Sequence, residues 1–311
     1  MSETSLIDAF LRPFDRGGAG VLVGPGSDCA AVRPSRGKQL VATTDAVVEG
    51  VHFDRRWFTG EEVGHKALAV NLSDLSAAGA QPRWFLCALG VPREARAVLY
   101  AARMARGMAA LARAHGCAII GGNVSAASEW SVTITALGEA RRPLTRAGGR
   151  PGDALVVAGR LGDAAAALRY LSGRSARRVA LQAQLRPTPL VEAGLAAASL
   201  ASAAIDVSDG LLRDLGHLCA QSHCGAVVEC TALPIGRLAA REPDALELAL
   251  AGGEDYALVF AVRPRRLPAL LRAIPGAVQI GRLTPPGEGL SLTERGATRR
   301  LPAHRGFDHL D

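Results

Sequence analysis

The chain is predicted to fold as two α/β domains, and three observations carry that prediction. Its 311 residues are about twice what one domain commonly holds. Short apolar strand-like runs alternate with amphipathic helical stretches along nearly the whole length. A polar, basic, Gly- and Pro-rich stretch from Arg141 to Asp153 interrupts the alternation and places the boundary between residues 1–148 and 149–311. The composition, 49% hydrophobic and 21% charged, excludes a collagenous, disordered or coiled-coil chain. With 13 aromatic residues and abundant Ala, Leu and Val, the core is built from small aliphatics, as close packing of helix on sheet requires.

In order along the chain, residues 4–13 read as a short helix, and 20–23, 29–33 and 39–44 as strands separated by Gly- and Pro-rich turns. A helical pattern over 60–78 follows the charged turn at Asp54–Arg56, then a strand over 84–91. Residues 93–115 form a second long amphipathic helix, with Leu99, Met104, Met108 and Leu111 assigned to one face. Strands at 117–120 and 130–138 complete the first half. Beyond the Gly/Pro stretch come a strand at 154–158, helices near 162–171 and 188–200, a strand at 203–207, a helix at 210–221 and a strand at 225–229. Strands near 256–262 and 277–281 flank a helix at 265–273, and no repeat of fixed period occurs.

The net charge of +7 is carried almost wholly by Arg, Lys38 and Lys66 being the only lysines. The densest basic groups, Arg141, Arg142, Arg146 and Arg150, then Arg174, Arg177 and Arg178, lack interleaved aromatics on which bases stack, so no nucleic-acid partner is expected. A basic balance suits an anionic small substrate equally well. The start has neither a basic n-region nor an apolar h-region, and no apolar run reaches the roughly 18 residues of a membrane span, so a cytoplasmic protein with no membrane partner is expected. Six irregularly spaced cysteines read as reduced, buried thiols. The group His217, Cys219, His223, Cys224 and Cys230 contains no Cys-x-x-Cys pair and reads as a helix face followed by a strand rather than as a zinc site.

Several aspartates fall at turns or strand ends rather than on helix surfaces: Asp28, Asp45, Asp74, Asp206 and Asp209. A single one would pass as a turn or cap residue. Five together, with few lysines to neutralise them, point to a hard divalent cation such as Mg²⁺. Gly24-Pro-Gly, Gly121-Gly122 after a strand, and Gly252-Gly253 before Glu254-Asp255 are places where backbone N–H groups could approach phosphate oxygens. No Walker A or Rossmann fingerprint is present. Carboxylates, glycines and Arg146 together indicate a nucleotide-phosphate site outside the common nucleotide folds.

The string Lys66-Ala-Leu-Ala-Val-Asn-Leu-Ser-Asp-Leu-Ser-Ala-Ala-Gly-Ala80 closely resembles the thiamine-monophosphate kinases. So do Thr43-Thr-Asp45, His52-Phe53, Leu144-Thr-Arg146, Leu185-Arg-Pro187, Ile205-Asp-Val-Ser-Asp-Gly-Leu211, Asp214-Leu-Gly-His217, Gly252-Gly-Glu-Asp-Tyr256 and Gly306-Phe-Asp-His309, in collinear order. The resemblance implies the two-domain fold of aminoimidazole-ribonucleotide synthetase and selenophosphate synthetase, a homodimer formed through the N-terminal domain, and ATP-dependent conversion of thiamine monophosphate to thiamine diphosphate. It implies that Asp28, Thr43, Thr44, Asp45, Asp74, Asn123, Asp206 and Asp209 hold several Mg²⁺ ions. Gly122, Asn123, Arg146 and Ser208 would contact ATP, and His52, Glu254 and Phe307 the thiamine monophosphate. Asp209 and Arg146 would carry the catalytic charge. An acceptor that is already a phosphate dianion near neutral pH needs no strong general base.

The chain departs from the family pattern at two places. Gly24-Pro-Gly-Ser-Asp-Cys-Ala30 stands where the family has Gly-x-Gly-Asp-Asp-Cys-Ala, and Gly121-Gly-Asn-Val124 where it has Gly-Gly-Asp-Thr. Ser27 and Asn123 still offer hard oxygens but not the charge of a carboxylate. Two alternatives therefore stay open: a divergent paralogue acting on another phosphorylated or cationic small molecule, and a binding protein that keeps the pocket without turnover.

Overall fold

A computed structural model describes residues 3–15, 17–173 and 178–307. Arg174 and Arg177 of the second basic group, and Asp308 and His309 of the closing motif, lie outside these residues. The chain divides into two compact units, Met1–Leu75 with Ala80–Arg142, and Ser76–Gly79 with Pro143–Asp311. The stretch after Arg142 is bound along the second unit rather than hanging as a linker. Leu144 N–H donates to the Ala78 carbonyl (2.9 Å) and Ala204 N–H to the Thr145 carbonyl (2.9 Å). The Ser222 hydroxyl donates to the Arg146 carbonyl at 2.7 Å.

The first unit contains α1 (Glu3–Leu11), β1 (Val21–Val23), β2 (Ala31–Val32), β3 (Gln39–Val48), α2 (Gly60–Ala77), β4 (Gln81–Val91), α3 (Ala97–Ala114), β5 (Ala118–Ala126) and β6 (Ser131–Ala140). β1 and β2 form a small antiparallel pair, and the main sheet runs in the order β3-β6-β4-β5. Helices α2 and α3 cross where neither carries a side chain: a Cβ on Gly64 would lie 1.9 Å from the Met104 carbonyl oxygen, and one on Gly107 would lie 1.8 Å from that of Glu61. The strand alternation is asymmetric. Val47, Ile134, Phe85 and Cys87 are buried, whereas Leu40, Thr44 and Leu86 on alternate positions are exposed.

The second unit contains β7 (Ala154–Ala158), α4 (Asp163–Gly173), α5 (Gln182–Leu185), α6 (Val191–Ala197), β8 (Ala201–Asp206), α7 (Leu211–Ser222), β9 (Gly225–Glu229), α8 (Ala245–Ala251), β10 (Leu258–Val262), α9 (Leu267–Ala273), β11 (Val278–Thr284), β12 (Leu290–Glu294) and β13 (Ala297–Arg299). Its seven strands run β13-β12-β9-β11-β7-β10-β8. All neighbours are antiparallel except β9 and β12. Both faces of the central strands are covered. Leu155, Val157, Ile205 and Val259 pack with Leu211, Leu212, Leu215 and Leu218 of α7, while Val156, Ala204 and Phe260 pack with Ala197 of α6 and Leu270 of α9. Double coverage explains why these strands read as unbroken apolar runs. Each buried α7 leucine contributes roughly 1.5–3 kcal/mol.

Three expectations need correction. Cys29, expected to be buried with the other thiols, is exposed. The strand expected to stop at 120 continues to Ala126, so Gly121, Gly122 and Asn123 lie within β5 and not in a loop. A Cβ on Gly122 would meet the Cys87 carbonyl oxygen at 1.9 Å, so close strand approach is what requires glycine there. Leu99 is 50% exposed, because it sits five residues, about 140° of helix, from the Met104 face.

Candidate active site

In the first unit, β3 carries Thr43, Thr44 and Asp45, and the pleat divides them. Thr43 and Asp45 share a face with buried Val47, and the Thr43 hydroxyl donates to the Asp74 carboxylate of α2 at 2.5 Å. Thr44 points to the other face, where its hydroxyl donates to the Ile134 carbonyl at 3.0 Å. Asp45, Ile134, Cys87 and Gly122 pair in register and form one row across the sheet. Three strand spacings separate the ends of that row, so Asp45 and Gly122 lie about 14 Å apart, beyond the span of a single ion. Asn123 pairs with Ala88 and so sits on the face opposite Gly122. Asp28 and Ser27 are exposed in the turn before β2. His52 is half-buried. Its Nδ1 accepts the Val48 N–H at 3.2 Å, and its carbonyl accepts from Nζ of Lys66, a buried lysine on α2, at 3.0 Å.

The second unit gathers its candidates more tightly, for a topological reason. β8 and β10 are antiparallel neighbours, so the turn leaving β8 at Asp206 lies beside the turn entering β10 at Leu258. Glu254 N–H donates to the Ser208 carbonyl (2.7 Å), Tyr256 N–H to the Val207 carbonyl (2.8 Å) and Phe307 N–H to the Asp209 carbonyl (2.9 Å). Two glycines allow this approach: a Cβ on Gly253 would lie 2.8 Å from the Ser208 oxygen, and one on Gly306 would lie 2.7 Å from the Asp209 oxygen. Asp206 is buried. Asp209 is partly exposed and ion-paired with Arg213 at 3.5 Å. Arg146 is exposed beside β8 and is not among the groups that these hydrogen bonds join.

Two supporting residues were not singled out by the sequence pattern. Asp214, in the first turn of α7, is buried, and its Oδ2 accepts the N–H groups of Ser208, Asp209 and Gly210, each at 3.0 Å. Burial and the nearby Asp209 push its carboxyl up to about 7. The signal available in the sequence was an acid four to six residues after a Ser-Asp-Gly turn, the spacing at which a helix carboxylate folds back on the orphan amides before it. Gln184 of α5 donates its amide to the Glu254 carboxylate at 2.5 Å. No local pattern reveals that contact, since the partners are 70 residues apart. Glu254 and Tyr256 occupy the left-handed region, with φ of 65° and 49°. Such backbone costs of order 1–3 kcal/mol and collects at working sites. Between them Asp255 accepts the Gly162 N–H at 2.6 Å at the start of α4, and burial pushes its carboxyl up to about 8.

All the expected cation donors, Asp28, Thr43, Thr44, Asp45, Asp74, Asn123, Asp206 and Asp209, offer hard oxygens, the donor type Mg²⁺ takes. Among the described residues no three His, Cys, Asp or Glu side chains converge on one point, the group around Cys219 and Cys224 included. The chain therefore fits the ion in donor chemistry without presenting a finished cage. No helix of the described residues is long and apolar enough to cross a membrane.

Two family models match the chain. Residues 26–140 match the AIR synthase related protein, N-terminal domain, and residues 150–292 the corresponding C-terminal domain. A thiamine-monophosphate kinase of Salmonella typhimurium is 37% identical over 323 aligned positions, covering 99% of this chain and 98% of the relative. The crystal structure of thiamine-monophosphate kinase from Stenotrophomonas maltophilia superposes with a TM-score of 0.82 at 36% identity, covering 96% of this chain and 98% of that one. A structure of AaThiL complexed with AMPPCP and TMP gives a TM-score of 0.79 at 31% identity, over 99% and 96% of the two chains. The chain belongs to the thiamine-monophosphate kinase family of AIR synthase related proteins.

Proposed function

We propose that this protein phosphorylates thiamine monophosphate to thiamine diphosphate with ATP, by direct transfer. The observation that carries the reading is the joined cluster of turns in the second unit, where Asp209 and Ser208 are hydrogen-bonded through the backbone to Glu254 and Phe307. One end of that cluster suits a phosphate with its counter-ions. The other suits a cationic aromatic ring, Glu254 supplying the opposite charge and Phe307 a stacking face. The acceptor phosphate is a dianion near neutral pH, so the work left to the protein is to bring two polyanions into line and offset their repulsion.

Hard-oxygen donors for several Mg²⁺ ions are available in each unit, Asp28, Thr43, Thr44, Asp45, Asp74 and Asn123 in the first and Asp206 and Asp209 in the second, and such ions would supply charge neutralisation at the phosphates. In the second unit Arg146 and Ser208 would contact ATP; in the first, Gly122 and Asn123 would offer ATP contacts and His52 would contact thiamine monophosphate. The neighbouring Lys66 holds the His52 carbonyl and so fixes the loop that presents it. For Gly122 the support is weaker than for Ser208, because strand packing already accounts for its missing side chain.

A homodimer is part of the same reading. The four-stranded sheet leaves Leu40, Thr44 and Leu86 exposed on one face, an apolar surface that a second copy would cover. A cytoplasmic location, where ATP is supplied, would suit this activity. Purified protein incubated with ATP, Mg²⁺ and thiamine monophosphate should form thiamine diphosphate, and γ-labelled ATP alone should leave the protein unlabelled. Absence of product with thiamine monophosphate would favour a divergent paralogue or a silent binding protein.

A further inference from the structure

Gln184 and Glu254 meet through one charge-assisted hydrogen bond at a junction that carries two local costs. Gln184 is 3% exposed, and its amide donates to the Glu254 carboxylate. Its own Oε1 is buried and has no hydrogen-bond partner among the described residues. A buried acceptor left unpaired is unfavourable and rare in native interiors, where an apolar side chain of the same length would avoid the loss. Its partner Glu254 is a non-glycine residue in the left-handed region, a second unfavourable choice at the same contact. Glu254 N–H is tied to the Ser208 carbonyl, so its backbone is already fixed. What remains to be set is the direction of the carboxylate, and the Gln184 amide, hydrogen-bonded to Oε2, bears directly on it.

We propose that Gln184 is a positioning residue that aims the Glu254 carboxylate, and through it gives the site its preference for a cationic ring over a neutral one. The inference rests on the reading of the chain as a thiamine-monophosphate kinase with Glu254 toward the thiazolium. Gln184 touches no reacting atom. It acts on binding of the acceptor and not on transfer, which predicts an effect on one substrate only.

The experiment compares the full-length protein with Gln184→Met, which keeps the length and removes both polar atoms, and with Gln184→Glu, which keeps the shape and replaces the donor with a second carboxylate. Glu254→Gln and the double variant Gln184→Met/Glu254→Gln complete a cycle. KM for thiamine monophosphate, its calorimetric Kd without ATP, KM for ATP and kcat are measured for each, with a thermal melt. Loss of a hydrogen bond to a charged group predicts KM and Kd for thiamine monophosphate raised about tenfold in Gln184→Met, and more in Gln184→Glu. KM for ATP and kcat should stay within about twofold of the native values. The double variant should be no weaker than Glu254→Gln alone, and an analogue with a neutral ring in place of the thiazolium should bind native and Gln184→Met proteins alike. Unchanged binding in both single Gln184 variants, equal losses for ATP and thiamine monophosphate, or effects that multiply in the double variant would each overturn the inference while leaving the kinase reading intact. A native protein with no turnover of thiamine monophosphate would overturn both.

Discussion

The candidate residues of the first unit ride mainly on strands, and those of the second sit on turns. The consequence for each site is opposite. A strand fixes its side chains to two faces and to the width of the sheet, so Thr43 and Asp45 are parted from Thr44 by the pleat and from Gly122 by about 14 Å of sheet. Turns at the ends of two antiparallel neighbours have no such constraint: Ser208, Asp209, Glu254 and Phe307 are laced together by backbone hydrogen bonds. Asp214 and Gln184 brace the lacing from inside the unit. The second unit thus presents an arranged set of groups, while the first presents donors that a partner or a ligand must complete.

The largest expected effect breaks the arranged half at its exposed charge. Asp209→Asn should leave the fold intact and lower kcat by about two orders of magnitude or more, the scale for loss of a key electrostatic group; steady-state kinetics with a thermal melt checks both. Next comes the brace. Asp214→Ala leaves three amides without their acceptor, and should lower kcat by about tenfold or more together with a lower melting temperature. Asp214→Asn should recover most of both, because a single oxygen takes all three hydrogen bonds.

How much of this was legible in the sequence follows the same division. The helix over 210–221 and the strand before it were readable because the α7 leucines recur at helical spacing and β8 is a short apolar run ending in Asp206. The strand β5 was cut short because glycines carry no alternation to read, and Gly121-Gly122 looks like a turn until Cys87 is seen against it. The short α8, the edge strand β13 and its neighbour β12 were missed: seven residues or fewer leave little periodicity, and β13 is exposed throughout. Gln184 could not be found at all, since its role exists only once residues 70 apart are brought together.

A smaller effect probes the first unit. Asn123→Asp, alone or with Ser27→Asp, adds carboxylate charge to donors that are not yet a cage, and should lower the Mg²⁺ concentration for half-maximal activity by about threefold to tenfold. A higher Mg²⁺ concentration for half-maximal activity with no gain in rate would mean that Asn123 serves a different ligand. The smallest effect lies in stability. The Asp255 carboxyl is raised from 3.8 to about 8 by burial, so the folded state holds its proton more tightly than the unfolded chain. Its contribution is complete below about pH 4 and is lost as pH rises through about 8. Melting temperatures taken from pH 5 to 9 should fall by a few degrees more for the native protein than for Asp255→Asn.

The contrast between an arranged second unit and an incomplete first unit is tested most directly by amide hydrogen exchange followed by mass spectrometry, on the protein alone and with Mg²⁺, a non-hydrolysable ATP analogue and thiamine monophosphate. Peptides covering 206–214 and 252–258 should already exchange slowly in the protein alone, because Asp214 and the carbonyls of Val207 and Ser208 hold their amides. Peptides covering 24–30 should exchange rapidly alone and slow by about tenfold or more when the ligands are added. Rapid exchange of 206–214 and 252–258 without ligand, or slow exchange of 24–30 in the protein alone, would contradict the account.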